Sequence, residues 1–358
     1  MSFKKFELVE NYIKEKIAIG SYPIGTRIPS EDELIEKLKV SRNPVRRALN
    51  NLSDEGVIYK IQGSGSYVKN VNIPDPLDIY AILPSESANL EIQIIQGMRK
   101  ALEDSPYNNI HLILKKPGKN TLEQIEIVNM ISQYYRGGIL CIPVIAKDRT
   151  TNRLLIANLR KMERSGFPVI QVDTIIPEFN GSYIMSDHRK ASYKMMQLLS
   201  NCNHENIGLI YRNMHKSSIK QRVAGVHDWY KDNPDNAGKL RQINLAENEI
   251  ITNELVTQLL DQGITAIFGL ECELVCDIYL ILLEMGLSIP ENISLCSFDD
   301  HCFTGIKSGF ITAVVQRLET IGYYAVQLLL DQIEGKTTGT IEMLIVPDIV
   351  KRKSVGRL

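Results

Sequence analysis

Residues 23–68 constrain the fold of this chain most, because they specify two short helices and a hairpin in a fixed order. Ser30 followed by Glu33 forms a capping box, with Pro29 just before it. A helix is therefore expected to begin at Ser30 and to end near Val40. A second helix should follow almost at once, because Ser41 offers another N-cap.

The second predicted helix runs from Ser41 to the stop at Gly56. Pro44 falls in its first turn, where the missing N–H of proline is tolerated. Three apolar residues then recur at helical spacing: Val45, Leu49 and Leu52. This repeat predicts that one stripe of the helix is buried and that the opposite stripe is exposed.

The exposed stripe of this helix is basic and polar, and most of it lies at the N-terminal end. It comprises Ser41, Arg42, Asn43, Arg46, Arg47 and Asn50. Arg and Asn side chains hydrogen-bond base edges in the DNA major groove, into which a recognition helix inserts its N-terminal residues. An isolated charged run would more simply be solvated surface. Here it follows a capping box and a short turn, which favours DNA binding.

Two apolar runs, at 57–61 and 66–68, flank the sequence Gln62-Gly63-Ser64-Gly65. Glycine permits positive φ and a close approach of the backbone to another molecule. The pattern predicts an antiparallel hairpin, the wing of a winged helix-turn-helix. We expect Gln62, Gly63 and Gly65 to approach the sugar-phosphate backbone of DNA.

This stretch resembles the GntR family of bacterial regulators, whose winged domain carries the pattern PGTxLPSExELxxxxxVSRxTVRxALxxLxxEGxxxxxxGxGxFV. Nearly every fixed position is matched, including Gly25-Thr26, Pro29-Ser30-Glu31, Ser41-Arg42, Val45-Arg46, Gly63, Gly65 and Val68. The sequence departs from it in two places: Asp32 stands where many members have Arg, and Asn43-Pro44 replaces Thr-Thr or Asn-Thr. The resemblance implies a domain that binds double-stranded operator DNA.

The charge of the chain is distributed unevenly. The whole chain of 358 residues has a formal net charge of −1, but residues 1–70 carry +3 and the remainder −4. The basic end coincides with the predicted DNA-binding end. Residues 1–20 lack the apolar stretch of a signal peptide, and no window reaches the length of a membrane span. We therefore expect a cytoplasmic protein without a membrane partner.

The cysteines and two short polar motifs could suggest metal or catalytic chemistry. The six cysteines, at 141, 202, 272, 276, 296 and 302, lack CxxC spacing, and four lie in or beside apolar runs, as buried thiols do. Asp299-Asp300-His301-Cys302 could ligate a metal, but no spaced partner set completes a tetrahedral site. Ser186-Asp187-His188 contains triad residues, but neighbours on a strand point to opposite faces. The sequence therefore predicts no metal, no cofactor and no catalytic residue.

Two prolines, Pro74 and Pro76, interrupt the pattern after the wing. Prolines at this spacing favour an extended, semi-rigid connector. We place the winged domain at residues 1–69, the linker at 70–77 and a second domain at 78–358.

In the second domain, short apolar runs alternate with amphipathic helices. The runs lie at 79–83, 110–114, 138–142, 169–172, 183–185, 207–211, 264–268 and 293–298. Runs without polar alternation belong to strands covered on both faces, and this alternation is that of a parallel sheet with helices on both sides. Because the alternation repeats from the run at 183–185 onward, it predicts a two-lobed α/β domain with a cleft, whose second half begins at that run.

Parallel sheets bind ligands beyond the carboxyl ends of their strands. Polar residues that follow the predicted strands or open the next helix are Ser85, Asn89, Asp173, Arg222, Glu271 and Asp299. Each alone could be a helix cap or half of a surface ion pair. Together they place three acids and one arginine at one cleft, which suits the hydroxyls of a polyol because these both donate and accept.

Residues 78–347 resemble the LacI type of effector domain, which is related to periplasmic sugar-binding proteins (type I). The matches include Gly97, Gly137-Gly138-Ile139-Leu140, Arg222-Val223-Ala224-Gly225, Phe298-Asp299-Asp300 and Thr312-Ala313-Val314-Val315-Gln316. The resemblance implies that Asp173, Arg222, Glu271, Asp299 and Gln316 hold a sugar. Thr174 and Glu271-Cys272 depart from the usual Arg and Asn-Asp. Three acids against one Arg favour a neutral monosaccharide over a charged one.

A GntR-like winged domain followed by a LacI-like domain resembles the bacterial arabinose-type repressors. The combination implies a homodimeric repressor of a sugar-utilisation operon that changes its DNA affinity when it binds sugar; a sugar-sensing activator remains the alternative. Two other classes are disfavoured. An enzyme is opposed by the absence of GxGxxG, GxxxxGK[ST] and GxSxG motifs. A sugar-binding protein without DNA function is opposed by the wing.

Overall fold

The computed structural model describes residues 5–23, 25–61, 64–69, 77–84, 89–107, 110–131, 136–176, 178–214, 216–235, 239–304 and 309–358. Two compact units are distinguished: residues 1–79 with 106–111 and 131–137, and the rest of the chain. The predicted linker at 70–77 lies outside the described residues except for Leu77. The division at 69 and 78 therefore stays a prediction.

The N-terminal part of the first unit is a winged helix-turn-helix. Its elements are α1 (Lys5–Ala18), α2 (Glu31–Leu38), α3 (Arg42–Asp54), β1 (Ile58–Ile61) and β2 (Gly65–Val68). The predicted capping box is confirmed, because Ser30 and Glu33 bond each other's backbone N–H. Ser41 occupies the N-cap position of α3 but makes no side-chain capping bond.

The core of this winged domain follows the predicted apolar stripe. Val45, Leu49 and Leu52 are buried on α3, where they join Val9 and Ile13 of α1 in one cluster. Strands β1 and β2 pair antiparallel, with Ile58 opposite Val68. The wing is thus anchored by its buried ends.

The first six-stranded sheet has the order β13-β7-β6-β5-β3-β4. Its strands are β3 (Leu77–Ile82), β4 (Ile110–Lys115), β5 (Arg136–Cys141), β6 (Val169–Val172), β7 (Ser182–Ser186) and β13 (Glu342–Ile345). Its surrounding helices are α4 (Asn89–Glu103), α5 (Thr121–Met130), α6 (Arg149–Arg164) and α11 (Leu318–Ile333). The pairs β5–β6, β6–β7 and β7–β13 run parallel, as the unbroken apolar runs predict.

The second six-stranded sheet has the order β14-β12-β11-β10-β8-β9. It comprises β8 (Ile207–Tyr211), β9 (Leu240–Asn244), β10 (Ala266–Gly269), β11 (Ser294–Phe298), β12 (Thr312–Val315) and the antiparallel strand β14 (Asp348–Val350). The helices that follow its strands or lead into it are α7 (His188–Asn201), α8 (Ser217–Asp232), α9 (Asn253–Asp261) and α10 (Cys272–Glu284). A short 3-10 helix, His301–Thr304, follows β11.

Glycines allow two pairs of helices to pack closely. A Cβ on Gly97 of α4 would lie 1.9 Å from the carbonyl oxygen of Glu319, and one on Gly322 of α11 would lie 2.0 Å from that of Ile94. Gly225 of α8 similarly faces Arg189 of α7, whose carbonyl oxygen would be 2.0 Å away. Any larger residue at these positions would push the helices apart.

The predicted two-lobed α/β fold is confirmed, but the run at 183–185, predicted to begin the second half, is β7 of the first sheet. Six strands and α-helices of this fold were not predicted: β9, α9, β12, α11, β13 and β14. Strand β9 is an edge strand with a partly exposed pattern, so residues 240–244 form no apolar run. Cys141, Cys202 and Cys296 are buried as thiols, whereas Cys272 and Cys302 form a disulfide whose Cα atoms are 6.0 Å apart. Their spacing along the chain does not indicate this pairing. Among the described residues, no helix is long and apolar enough to span a membrane.

Candidate functional site

The predicted recognition face lies on the exposed side of α3. Its exposed members are Ser41, Arg42, Asn43, Arg46, Arg47 and Asn50. Because Val45 and Leu49 point into the core, these side chains are available to a partner on the opposite side. The structure thus brings the predicted basic and polar residues onto one helical face.

Acidic residues of α2 pair with two of these arginines. Arg42 contacts the carboxylate of Asp32, and Arg46 Nε lies 2.9 Å from Glu31 Oε2. All four side chains are at least one-third exposed, and exposed ion pairs contribute only about 0–1 kcal/mol. Both arginines can therefore exchange these carboxylates for DNA at little cost. Asp32, which departs from the GntR pattern, thus contacts an arginine of the predicted recognition helix.

Arg47 and Asn50 make contacts within the winged domain. The guanidinium of Arg47 lies over the ring of Phe6, 4.1 Å from its centroid, and Lys60 donates to Asn50 Oδ1 at 2.6 Å. Arg47 therefore helps to hold α1 against α3. This contact was not predicted, because α1 was not part of the predicted motif.

On the wing, Gly65 has a φ of 124° and lies close to the Arg27 side chain. This positive φ favours glycine, as expected for the wing. A Cβ at this position would also lie 2.8 Å from Arg27 Nε, so the flexible Arg27 side chain would have to move. The predicted approach of Gly65 to DNA stays a prediction. Gln62 and Gly63 lie outside the described residues.

The candidate effector residues lie at the carboxyl ends of parallel strands. Asp173 directly follows β6, and Asp299 directly follows β11; both have positive φ, 62° and 69°. Gln316 follows β12, Glu271 comes two residues after β10, and Arg222 lies in the second turn of α8. The topology thus positions these side chains where α/β sheets bind ligands.

A buried polar chain joins three of these residues. Arg222 Nη2 lies 3.3 Å from Asp299 Oδ2, and Gln316 Nε2 donates to Asp299 Oδ1 at 2.7 Å. Arg222, Asp299 and Gln316 are each less than one-tenth exposed. Gln316 Oε1 is buried and has no hydrogen-bond partner among the described residues. Such an orphaned acceptor is suited to a ligand hydroxyl.

Other contacts fix the orientation of Arg222. Its Nη1 donates to the carbonyl of Leu270 at 2.6 Å, and its guanidinium lies 3.6 Å from the centroid of the Phe298 ring. Its Nε donates to His188 Nδ1 at 3.4 Å. This set holds the guanidinium plane in one orientation, so its remaining N–H groups are preorganised.

His188 was not among the predicted site residues. Its ring is buried, and burial together with the Arg222 charge lowers its pKa well below the ordinary value. The imidazole is therefore neutral at pH 7. Because Nδ1 accepts from Arg222, Nε2 carries the proton, and this buried donor has no partner among the described residues. The sequence signal was the motif Ser186-Asp187-His188, which we considered only as a catalytic triad.

The charges around Asp173 act in opposite directions. Burial raises the pKa of Asp173 to about 6; the Arg222 charge opposes this rise and the Asp299 charge adds to it. Asp173, which follows a strand of the first sheet, thus lies close enough to Arg222 and Asp299 for both charges to change its pKa. The carboxyl group of Asp173 titrates near neutral pH, unlike an ordinary aspartate.

Glu271 is held by the segment after β8. Its two carboxylate oxygens accept from the Arg212 backbone N–H at 3.1 Å and from Asn213 Nδ2 at 3.0 Å. Each carboxylate oxygen has a second lone pair, so Glu271 can still accept from a hydroxyl. Ser85 and the side chain of Asn89 lie outside the described residues, so their assignment stays a prediction.

A second polar cluster lies beside these residues. Cys272, Glu273, His301 and Cys302 place one ligand-type atom each within 4.8 Å of the others. Cys272 and Glu273, at the start of α10, are partners that the sequence did not indicate for His301 and Cys302, and the absence of a metal stays a prediction. Asp299 and Asp300 are not members, since they pair with Arg222 and Arg352.

Comparisons with known proteins agree with both folds. Residues 6–68 match the family described as "Bacterial regulatory proteins, gntR family". Residues 196–355 match the family described as "Periplasmic binding protein-like domain". The chain combines a GntR-type winged helix-turn-helix with a LacI-type effector domain.

Two relatives match nearly the whole chain. The arabinose metabolism transcriptional repressor of Geobacillus stearothermophilus is 21% identical over 99% of this chain and 98% of its own length. The arabinose metabolism transcriptional repressor of Halalkalibacterium halodurans is 24% identical over 98% and 96%. A LacI family transcriptional regulator from Enterococcus faecium, crystallised with bound ribose, superposes with a TM-score of 0.60 at 20% identity, over 78% of this chain and 99% of its own. The GntR and LacI resemblances drawn from the sequence are confirmed.

Proposed function

We propose that this protein is a transcriptional repressor of a sugar-utilisation operon, which binds operator DNA through its winged domain and loses affinity for it when a neutral monosaccharide binds the effector domain. The observation that carries the proposal is the buried, bonded set of side chains Arg222–Asp299–Gln316. The same protein also has a GntR-type winged helix-turn-helix. The names of the two arabinose repressors support the repressor role. Operator binding would take place in the cytoplasm.

The chemistry of the effector site favours a neutral sugar. Arg222 is already neutralised by Asp299, and Asp173 and Glu271 add negative charge, so a sugar acid or phosphate would be repelled. The free acceptor Gln316 Oε1 matches a hydroxyl proton, and the free donor His188 Nε2 matches a hydroxyl oxygen. The bound ribose of the Enterococcus faecium regulator supports a pentose as the first ligand to test.

The DNA interface would use the exposed N-terminal face of α3. Arg42, Asn43 and Arg46 supply donors for base edges or phosphates, and Ser41 supplies a hydroxyl at the helix N-terminus. Release of Arg42 from Asp32 and of Arg46 from Glu31 would accompany binding. These are weak exposed pairs, so their loss would reduce the affinity only slightly.

We further propose that the protein binds DNA as a homodimer. Two-fold operators match the symmetry of a dimer of winged domains. Sugar would then act through linkage: a ligand that changes operator affinity by a given factor has its own affinity changed by the same factor, with a coupling of about 1–3 kcal/mol.

The direct test is a thermal-shift and calorimetry screen on the purified full-length protein. The panel contains arabinose, ribose, xylose, glucose and galactose, with glucuronate and glucose 6-phosphate as charged counterparts of glucose. We expect binding of at least one neutral sugar and no binding of the charged ones. Stronger binding of glucuronate or glucose 6-phosphate than of every neutral sugar would contradict the proposed charge selectivity.

A further inference from the structure

Two segments next to the effector site bring four metal-binding side chains together. Cys272 and Glu273 are the first residues of α10, and His301 and Cys302 are the first residues of the 3-10 helix after β11. One ligand-type atom from each lies within 4.8 Å of the others. Cys272 is buried, His301 and Cys302 are partly buried, and only Glu273 is exposed. The cluster therefore belongs to the folded framework.

The distances between these atoms match the spacing of ligands around a small tetrahedral cation. Zinc holds nitrogen, oxygen and sulfur at about 2.0–2.3 Å, so neighbouring ligands in a tetrahedron lie about 3.3–3.8 Å apart. Cys272 Sγ lies 3.4 Å from His301 Nε2 and 3.8 Å from Glu273 Oε2. His301 Nε2 lies 3.6 Å from Glu273 Oε1. The Cys272–His301 pair thus has the required separation, and each of these two residues has one Glu273 carboxylate oxygen within 3.8 Å.

The two sulfur atoms lie closer together than zinc ligands do, because Cys272 and Cys302 form a disulfide in this structure. A metal between them would require a sulfur separation of about 3.8 Å. Their Cα atoms are 6.0 Å apart, so a side-chain rotation can supply that separation without backbone movement. A DNA-binding regulator acts where thiols are kept reduced, and the reduced thiolate is the form that ligates metals.

Neighbouring polar residues are engaged elsewhere, so the set of four ligands is distinct from the effector site. Asp299 pairs with Arg222, and Asp300 lies 2.6 Å from Arg352. Cys276, one turn after Cys272, is the nearest further thiol in α10 and donates to the carbonyl of Cys302 at 3.7 Å. Cys276 thus provides a matched control cysteine that lies outside the ligand set.

We propose that Cys272, Glu273, His301 and Cys302 form a zinc site. Thiolate and imidazole ligands select zinc over magnesium or calcium. Four protein ligands leave no open coordination position, which makes the site structural. The ion would join the start of α10 to the residues after β11. Glu271 directly precedes Cys272, and Asp299 lies two residues before His301, so zinc would restrain the separation of two candidate effector residues.

The test is zinc binding by the full-length protein after reduction with a phosphine under anaerobic conditions. Zn²⁺ is titrated in competition with a chromogenic chelator, and Co²⁺ is added to separate samples to reveal thiolate ligation by its charge-transfer absorption. We expect one zinc per chain and a thiolate-to-cobalt band. Cys302→Ser and His301→Ala should each weaken zinc binding by more than about tenfold, since even outer-shell substitutions cost about that much. Cys276→Ser should bind zinc like the wild type.

Several results would overturn the proposal. One is a reduced wild type that binds zinc no better than Cys302→Ser, and another is a Cys276→Ser variant that loses as much affinity as Cys302→Ser. If Cys302→Ser does not fold, the cobalt spectrum of the wild type decides alone, and the absence of a thiolate-to-cobalt band overturns the site. A disulfide with no metal binding after reduction would do the same. None of these measurements requires sugar or DNA, so their failure is separate from that of the proposed function.

Discussion

The predicted recognition helix α3 and the proposed effector site arrange arginine and carboxylate side chains in opposite ways. On α3, Arg42 and Arg46 pair with Asp32 and Glu31 at the surface, where water competes for every partner. At the effector site, Arg222 is fixed by Asp299, Leu270, Phe298 and His188. Substitution on α3 should therefore change affinity for DNA with little effect on folding, whereas substitution of Arg222 should affect both ligand binding and folding.

The largest expected effect is that of Arg222→Met. It keeps the aliphatic stem but leaves Asp299 buried without its cation, so we expect a loss of about 3–5 kcal/mol of unfolding free energy and no detectable sugar binding. Urea unfolding and calorimetry measure the two quantities. The matched control is Arg189→Ala, which breaks a pair between an exposed arginine and the partly exposed Asp228 and should cost about 1 kcal/mol. Equal losses in both variants would remove the contrast between buried and exposed arginines.

A smaller loss is expected on the recognition face. Arg42→Ala and Arg46→Ala should each reduce operator affinity by about 1–3 kcal/mol if a base contact is lost. Sugar affinity and stability should stay close to the wild-type values, because both arginines are exposed. Fluorescence anisotropy with an operator selected from a random duplex library by this protein measures the DNA affinity. Wild-type operator binding by both variants would show that α3 is not the reading helix.

The pH dependence of sugar binding probes Asp173, whose pKa is raised to about 6 by burial. Below that pH the Asp173 carboxyl of the sugar-free protein is protonated, and it must lose this proton before the carboxylate can accept from a sugar hydroxyl. We therefore expect the sugar affinity to be about tenfold lower at pH 5 than at pH 7. Calorimetry with the sugar that binds best provides the profile, and Asp173→Asn should flatten it. A profile that stays as steep in Asp173→Asn would assign the titration to another group.

The unfolding free energy should depend on the same Asp173 proton, but it should fall as the pH rises, whereas the sugar affinity should increase. The folded protein keeps this proton between pH about 4 and 6, where an unfolded chain with the ordinary pKa of 3.8 has lost it. The stabilisation from Asp173 is thus fully present below about pH 4 and is lost as the pH rises through 6. In the absence of sugar, the difference in unfolding free energy between wild type and Asp173→Asn should shift in this direction. An unchanged difference from pH 4 to 8 would contradict the raised pKa.

The smallest expected effect compares two serines of the winged domain. Ser30→Ala removes a capping bond to the Glu33 N–H and should lower the unfolding free energy of this domain by about 1 kcal/mol. Ser41 makes no capping bond, so Ser41→Ala should cost less in stability but more in operator affinity. Urea unfolding and anisotropy should therefore rank the two variants in opposite orders. The same rank in both assays would show that Ser41 has no separate role in DNA binding.

The sequence predicted more of the fold than of the site, for physical reasons. Helix caps and apolar periodicity are local signals, so α2, α3 and the buried strands could be located closely. Strand β9 has half-exposed residues and gave no such signal. Asp173, Arg222 and Asp299 could be predicted as site residues because strand ends identify the ligand edge of a sheet, whereas Gln316 was predicted only from the LacI resemblance. The contact of Arg222 with His188 and the cluster of Cys272 with His301 could not be found, because both join segments that lie at least 29 residues apart.

The most direct test of the central claim is operator affinity with and without sugar, measured by anisotropy on the wild type and on Arg222→Lys. The lysine variant keeps the positive charge but loses the planar fork that binds Asp299 and Leu270. We predict that saturating sugar lowers the operator affinity of the wild type by about 5- to 150-fold. Arg222→Lys should bind operator like the wild type and should not respond to the same sugar concentration. An operator affinity of the wild type that stays unchanged, at a sugar concentration that calorimetry shows to be saturating, would contradict the account.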